Sequence, residues 1–162
     1  IESEGELIDI ELLENTPVEH IKSELSRVLH EGARVIDVKR IDKSTTSIDT
    51  TVYWAEYKVR FDDSSLYKIE DIKYNIDKVC SSDEILITKK TKKGIEKTIN
   101  YRKSLHSLEF NNDDEIEFIL KVGHNEEIPA LRADEFIKKF FVDNNNFKIK
   151  REEFFDSTFN VI

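Results

Sequence analysis

The chain has 162 residues, 38% apolar and 36% charged, with ten Phe and five Tyr. That aromatic and β-branched content excludes a disordered chain, and no apolar run approaches the roughly 18–20 residues of a membrane-spanning helix. A single cysteine, Cys80, excludes an internal disulfide and any iron–sulfur or zinc site built on several thiolates of this chain, and it fits a reducing, cytoplasmic compartment. The net charge of −9 repels nucleic acid on average, but it is unevenly spread. Residues 89–103 carry Lys89, Lys90, Lys92, Lys93, Lys97, Arg102 and Lys103 against Glu96, a net of +6, which leaves −15 on the remainder.

Residues 6–13 alternate as a strand, with Ile8, Ile10 and Leu12 on one face and Asp9 and Glu11 on the other. Thr16-Pro17-Val18-Glu19 follows as a helix start with a Thr N-cap and a capping-box Glu. Val18, Ile21, Leu25, Val28 and Leu29 then share one helical face, and Gly32 supplies the left-handed stop. A second strand is expected over 33–42. Residues 43–51 are polar and read as a linker.

A second unit, 52–156, opens with a strand over 52–61. Helix 67–80 carries Ile69, Ile72, Ile76 and Val79 at helical spacing. Strands 84–90 and 95–101 flank Thr91-Lys92-Lys93-Gly94 as a hairpin, and strands 106–110 and 115–122 flank Asn111-Asn112-Asp113-Asp114 as another. A helix over 132–142 buries Phe136, Ile137, Phe140 and Phe141, a strand over 146–154 follows, and 157–162 is a tail. The fold class is therefore α+β with antiparallel sheets. With one hairpin set aside, 52–156 has the ferredoxin-like order β-α-β-β-α-β, and 1–42 reads as the C-terminal half of such a unit. The acidic start and the absence of Met fit a chain that is part of a longer product.

No catalytic constellation emerges. His20, His30, His106 and His124 form no metal motif, and the four glycines are too scattered for a phosphate loop. No serine sits in a nucleophile elbow. Cys80 reads as a small hydrophobe at the core or its boundary. Glu2, Glu4 and Glu6, and Asp113, Asp114 and Glu115, lack the spacing of a calcium loop and read as solvated surface. No catalytic residue, cofactor or metal is assigned. The seven cations of 89–103 are the contact candidates, because a two-stranded lysine ribbon fits a nucleic-acid groove and Tyr101 offers a stacking face.

The order of four segments is similar to a known family. Ile1-Glu2-Ser3-Glu4-Gly5-Glu6-Leu7-Ile8-Asp9-Ile10-Glu11-Leu12, the Pro17-Val18-Glu19 helix, Ala55-Glu56-Tyr57-Lys58-Val59 and Thr88-Lys89-Lys90-Thr91-Lys92-Lys93-Gly94 resemble the radical-SAM-linked domain of unknown function 2344 over about residues 1–156. The resemblance implies a domain found alone or at the C-terminus of cobalamin-binding radical SAM proteins. It also implies a preceding segment, with a Ser-His-Leu-Asp-like motif, that this sequence lacks. The expectation is a non-catalytic accessory domain that binds tRNA or rRNA through the ribbon. The alternative is a protein-interaction module that docks on a cobalamin-binding radical SAM enzyme through the ribbon or the edge of strand 6–13.

Overall fold

A computed structural model of the chain describes residues 1–61, 67–91, 93–111, 115–123, 127–142 and 146–162. Among the described residues four α-helices, α1 (Val18–Val28), α2 (Ile48–Thr51), α3 (Ile69–Ser81) and α4 (Ala133–Phe140), accompany seven strands. The strands are β1 (Glu2–Ser3), β2 (Trp54–Phe61), β3 (Leu86–Lys90), β4 (Glu96–Asn100), β5 (Leu105–Phe110), β6 (Ile116–Lys121) and β7 (Phe147–Phe155). They form a mixed α+β fold. Its main sheet has the order β1-β7-β2-β6-β5 and is antiparallel except for the β1–β7 pair, while β3 and β4 form a separate two-stranded sheet.

The central strand shows why the sheet has two unlike faces. Side chains alternate along β2, so Ala55, Tyr57 and Val59 face the helices and are buried, while Glu56, Lys58 and Arg60 face the other way. The antiparallel partner β6 repeats this with Ile116, Phe118 and Leu120, which lie opposite Val59, Tyr57 and Ala55. Phe136 of α4 meets Phe118 at 5.3 Å between ring centroids, and Phe118 stacks on Tyr57 at 5.5 Å. Each such ring contributes about 1.5–3 kcal/mol by leaving water. Ile72, Ile76 and Val79 of α3 complete this layer, whereas Ile69 is exposed.

Glycine matters at two positions. Gly94 takes φ +78 in the hairpin turn, the conformation expected there. Gly123 is a close approach: a Cβ on it would stand 1.8 Å from the Val52 carbonyl oxygen and 3.2 Å from Tyr53 Cα.

The elements from 52 onward lie where the periodicity puts them, and the first 50 residues depart from it. Neither 6–13 nor 33–42 forms a strand. A strand exists only where a neighbour takes its backbone groups; Glu2 and Ser3 pair with Lys150 and Arg151 of β7, and Glu4 N adds one more bond to Arg151 O at 3.2 Å. Beyond them, side chains hold the segments. The Asp9 carboxylate accepts from Ile48 N at 2.7 Å, Lys22 Nζ donates to Ile36 O at 2.8 Å, and Arg40 donates to Asn15 Oδ1 and Thr16 O. The expected half of a ferredoxin-like unit is therefore a helix between two irregular segments. The expected capping box is also absent: α1 begins at Val18 with Pro17 at its N-cap position, and the Thr16 hydroxyl turns back toward Glu14 O. Gly32 is left-handed at φ +92, three residues beyond the Leu29 C-cap. Within the polar linker 43–51, α2 adds one helical turn. Cys80 is exposed rather than part of the core; its thiol lies 3.7 Å from the Leu108 carbonyl, and partial desolvation there pushes its pKa up.

Candidate functional site

The ribbon β3–β4 is built from three anchors. Ile85, Ile87 and Tyr101 are buried against the helices, and Tyr101 N donates to Ile85 O at 2.7 Å. At the other end Thr91 N donates to Ile95 O at 2.8 Å. In antiparallel pairs, hydrogen-bonded and open residues alternate. The register 86↔100 through 90↔96 therefore makes the odd-numbered pairs the bonded ones. The backbone groups of Leu86, Thr88 and Lys90 on one edge, and of Glu96, Thr98 and Asn100 on the other, point away from the ribbon. The Thr88 and Thr98 hydroxyls meet at 2.8 Å on the outer face.

The seven candidate cations are not equivalent. Lys89 leans onto the body, ion-paired with Glu135 of α4 and over the Tyr101 ring at 5.0 Å. Burial pulls its pKa down, but hydrogen bonds to Glu135 and Tyr101 outweigh this and hold the ammonium above its ordinary value. Lys90 lies 3.8 Å from Glu96. Lys93, Lys97 and Lys103 are exposed, Arg102 is half-buried, and none of the four makes an ion pair with a described residue. Lys92 lies outside the described residues. Tyr101 is buried under Lys89, so the stacking face expected of it is already used.

The second candidate surface is the arm formed by residues 1–42. No residue before Trp54 is buried, although α1 carries the apolar stripe the sequence predicts. Val18, Ile21 and Leu25 are half-buried, and Val28 is 64% exposed. Ile8 (76% exposed), Ile10, Leu12, Leu13, Ile36 and Ile41 are exposed with it. The arm carries eleven carboxylates against five cations, a net of −6. Glu4 and Glu6 pair with Lys150 and Arg151 of β7, which ties the arm to that edge of the main sheet.

A third feature escaped sequence reasoning. Lys121, at the end of β6, is fully buried; its Nζ donates to Gly123 O and lies 3.8 Å from the Tyr53 ring centre. Burial lowers its pKa, and no other cause contributes. Its cross-strand partner Trp54 stacks on Phe159 at 5.4 Å, with His106 at 4.1 Å from the same ring. Phe159 is left-handed at φ 63, held by a turn in which Asp156 accepts from Thr158 and Asn160. Hydrogen bonds from Asn160, then Thr158, hold the Asp156 carboxyl far below its ordinary value. Alternation alone would have put Lys121 on the face away from the helices, beside Glu117 and Ile119. There it is covered by the Gly123 carbonyl and the Tyr53 ring.

A cavity of about 200 Å³ is lined by Tyr57, Val122, Leu131, Arg132 and Asp134 among others, smaller than the roughly 300–1,000 Å³ of ligand pockets. Burial, then the Asp134 carboxylate, pushes the Tyr57 pKa up to about 12. Among the described residues no three His, Cys, Asp or Glu side chains gather to hold a metal ion, and no helix is long and apolar enough to cross a membrane. His20, His30 and His106 stand apart on α1, beyond its end and on β5, and His124, Asp113 and Asp114 lie outside the described residues.

Residues 1–132 match the model of a family described as an uncharacterised protein conserved in bacteria, DUF2344. The chain belongs to this family. The match takes in the arm, the ribbon and the main sheet as far as β6, so both candidate surfaces lie within the family's shared region. No curated protein and no solved structure matches the chain.

Proposed function

We propose that this DUF2344 chain is a non-catalytic accessory module whose acidic, apolar arm is its contact with a protein partner. The observation that carries the reading is the concentration of exposed Ile, Leu and Val side chains on 1–42, where α1 has an apolar stripe and no buried residue. Exposed apolar surface on this scale marks interaction sites. The resemblance to radical-SAM-linked domains makes a cobalamin-binding radical SAM enzyme the first partner to test, in the cytoplasm. The strand order β7-β2-β6-β5, with helices after β2 and β6, supports reading 52–156 as ferredoxin-like with β3–β4 inserted. That analogy bears on fold and not on activity.

RNA binding through the ribbon is the second reading, favoured by the unpaired ammonium groups of Lys93, Lys97 and Lys103. The pairing of Lys89 and Lys90 with Glu135 and Glu96 weakens it. Pull-down from extract with and without RNase, using wild type and Val28→Asp, separates the two. RNase-resistant recovery of one protein, lost in V28D, supports the arm. RNase-sensitive recovery indifferent to V28D supports RNA. A gel shift at two salt concentrations adds a direct test, since phosphate contacts lose affinity steeply with salt. Equal RNA binding by wild type and a Lys90/Lys92/Lys93→Glu triple variant would remove the ribbon from consideration.

A further inference from the structure

We infer that the arm's occupant is a second copy of this chain: segment 6–13 of one molecule adds as a third strand to the open edge of the β3–β4 ribbon of another. This rests on the reading of the arm as an interface and names what covers it.

Three observations converge. Residues 6–13 alternate like a strand, yet no ladder within the molecule takes their backbone groups. The ribbon is a two-stranded sheet whose Glu96, Thr98 and Asn100 backbone groups face outward with no neighbouring strand among the described residues. An extended peptide laid along such an edge gains main-chain hydrogen bonds and pockets for alternate side chains. The charges select the pairing. Each arm carries −6 and each ribbon segment 89–103 carries +6, so arm repels arm and ribbon repels ribbon. The surplus of cations on the ribbon resists another ribbon, but it admits a strand carrying Asp9 and Glu11.

The arm is tied to β7 through β1 and the Arg151–Glu6 pair, and the ribbon runs through Tyr101–Ser104 into β5. Both also approach α4: Ile1 lines a cavity with Ala133 and Asp134, and Lys89 pairs with Glu135. Segment 6–13 nevertheless does not pair with the ribbon of its own molecule. Between copies the contact is head-to-tail, joining two different patches rather than one patch to itself.

The experiment is sedimentation over a wide concentration range, at low and high salt, on wild type, Ile10→Asp and Thr98→Pro. Ile10 is exposed, so I10D spoils only the docking strand. Thr98 N points outward, so a proline there blocks the edge and leaves the β3–β4 backbone bonds in place, with loss of the Thr88–Thr98 hydroxyl contact. Wild type is expected to exceed the monomer mass increasingly with concentration, and to fall back toward it in 1 M salt, where charges are screened within about 3 Å. Each variant alone is expected to stay monomeric. An equimolar mixture is expected to reach about twice the monomer mass, because the intact arm of T98P meets the intact ribbon of I10D. A mixture that stays monomeric, or a T98P that associates like wild type, overturns the inference. If T98P melts below wild type, Lys97→Glu is read in its place and is expected to weaken association. A monomeric wild type whose other protein partner is still lost in I10D overturns this inference and leaves the arm an interface. Association that survives I10D removes both.

Discussion

Replacing Lys121 with Met tests how the molecule handles its one fully buried ammonium group among the described residues. The ammonium gains a hydrogen bond to the Gly123 carbonyl and a place over the Tyr53 ring. A hydrogen bond from a charged donor is worth about 1.5–3 kcal/mol, and the ring contact about 0.5–2 kcal/mol. Against these stands a desolvation cost of several kcal/mol for a buried ion. Burial lowers the ammonium's pKa, the direction expected where desolvation outweighs those two contacts. Met fills a similar volume without the charge. K121M is therefore expected to be neutral or more stable by about 1–2 kcal/mol at pH 7. The pH dependence carries the same sign. Between the lowered native pKa and the ordinary lysine value of 10.5, the unfolded chain holds a proton that the native chain has lost. Wild-type stability should rise with pH through that window, and K121M should lack the rise. Urea denaturation at a series of pH values reads both. A loss of more than about 1 kcal/mol in K121M at pH 7 would show that the ammonium's contacts outweigh its burial, and would refute the reasoning.

Gly123→Ala is expected to cost about 3 kcal/mol, since its Cβ meets the backbone of Val52 and not a yielding side chain; thermal or urea unfolding measures it. Ile10→Asp and Val28→Asp should leave stability within about 0.5 kcal/mol of wild type, because both side chains are exposed, and larger losses would mean that the arm packs on the body. Asp156→Ala should release Phe159 and shift the emission of Trp54, the lone tryptophan, toward that of a solvated indole. The Asp156 carboxyl has a lowered native pKa, so its contribution is complete above 3.8 and is lost as pH falls below that value. Wild-type Trp54 emission should therefore change only under strongly acid conditions, and D156A should show no such transition.

The sheet of the second unit was legible because its strands pair with one another. Ala55, Tyr57 and Val59 alternate in the sequence and find Ile116, Phe118 and Leu120 opposite them, so pattern and ladder agree. The helix faces were legible for the same reason, apart from Ile69, which overshoots the core, and Phe140 and Phe141, which are half-buried at and beyond the end of α4. Residues 6–13 show the limit of period-2 reasoning. Alternation makes a segment competent to be a strand, but the ladder belongs to the neighbour, and this segment has none within the molecule. The Thr16 capping box failed because the helix starts one residue late, which places the hydroxyl outside reach of the first free N–H groups. The ribbon was visible as a hairpin, and its charge could be counted. Which lysines are committed could not be counted, because Glu135 lies 46 positions from Lys89 and meets it only through the packing of α4. Lys121 was hidden for a similar reason: it meets the Gly123 carbonyl and the Tyr53 ring outside any apolar period of β6.

The two readings of the ribbon share one resource. RNA phosphates and the Asp9 and Glu11 carboxylates of an incoming arm would both be drawn to Lys93, Lys97 and Lys103, the exposed cations that no described acid of the same molecule neutralises. They differ in what else they require. A docked arm also buries Ile8, Ile10 and Leu12 and fills the outward backbone groups of the edge, whereas RNA satisfies neither need. Salt weakens both through the charges, but it leaves the apolar share of the arm contact intact, so RNA binding has the steeper salt dependence. An exposed apolar arm gains from being covered whether or not RNA is present, and a solvated lysine does not, so on the proposed reading the arm contact is expected to persist where RNA binding is lost.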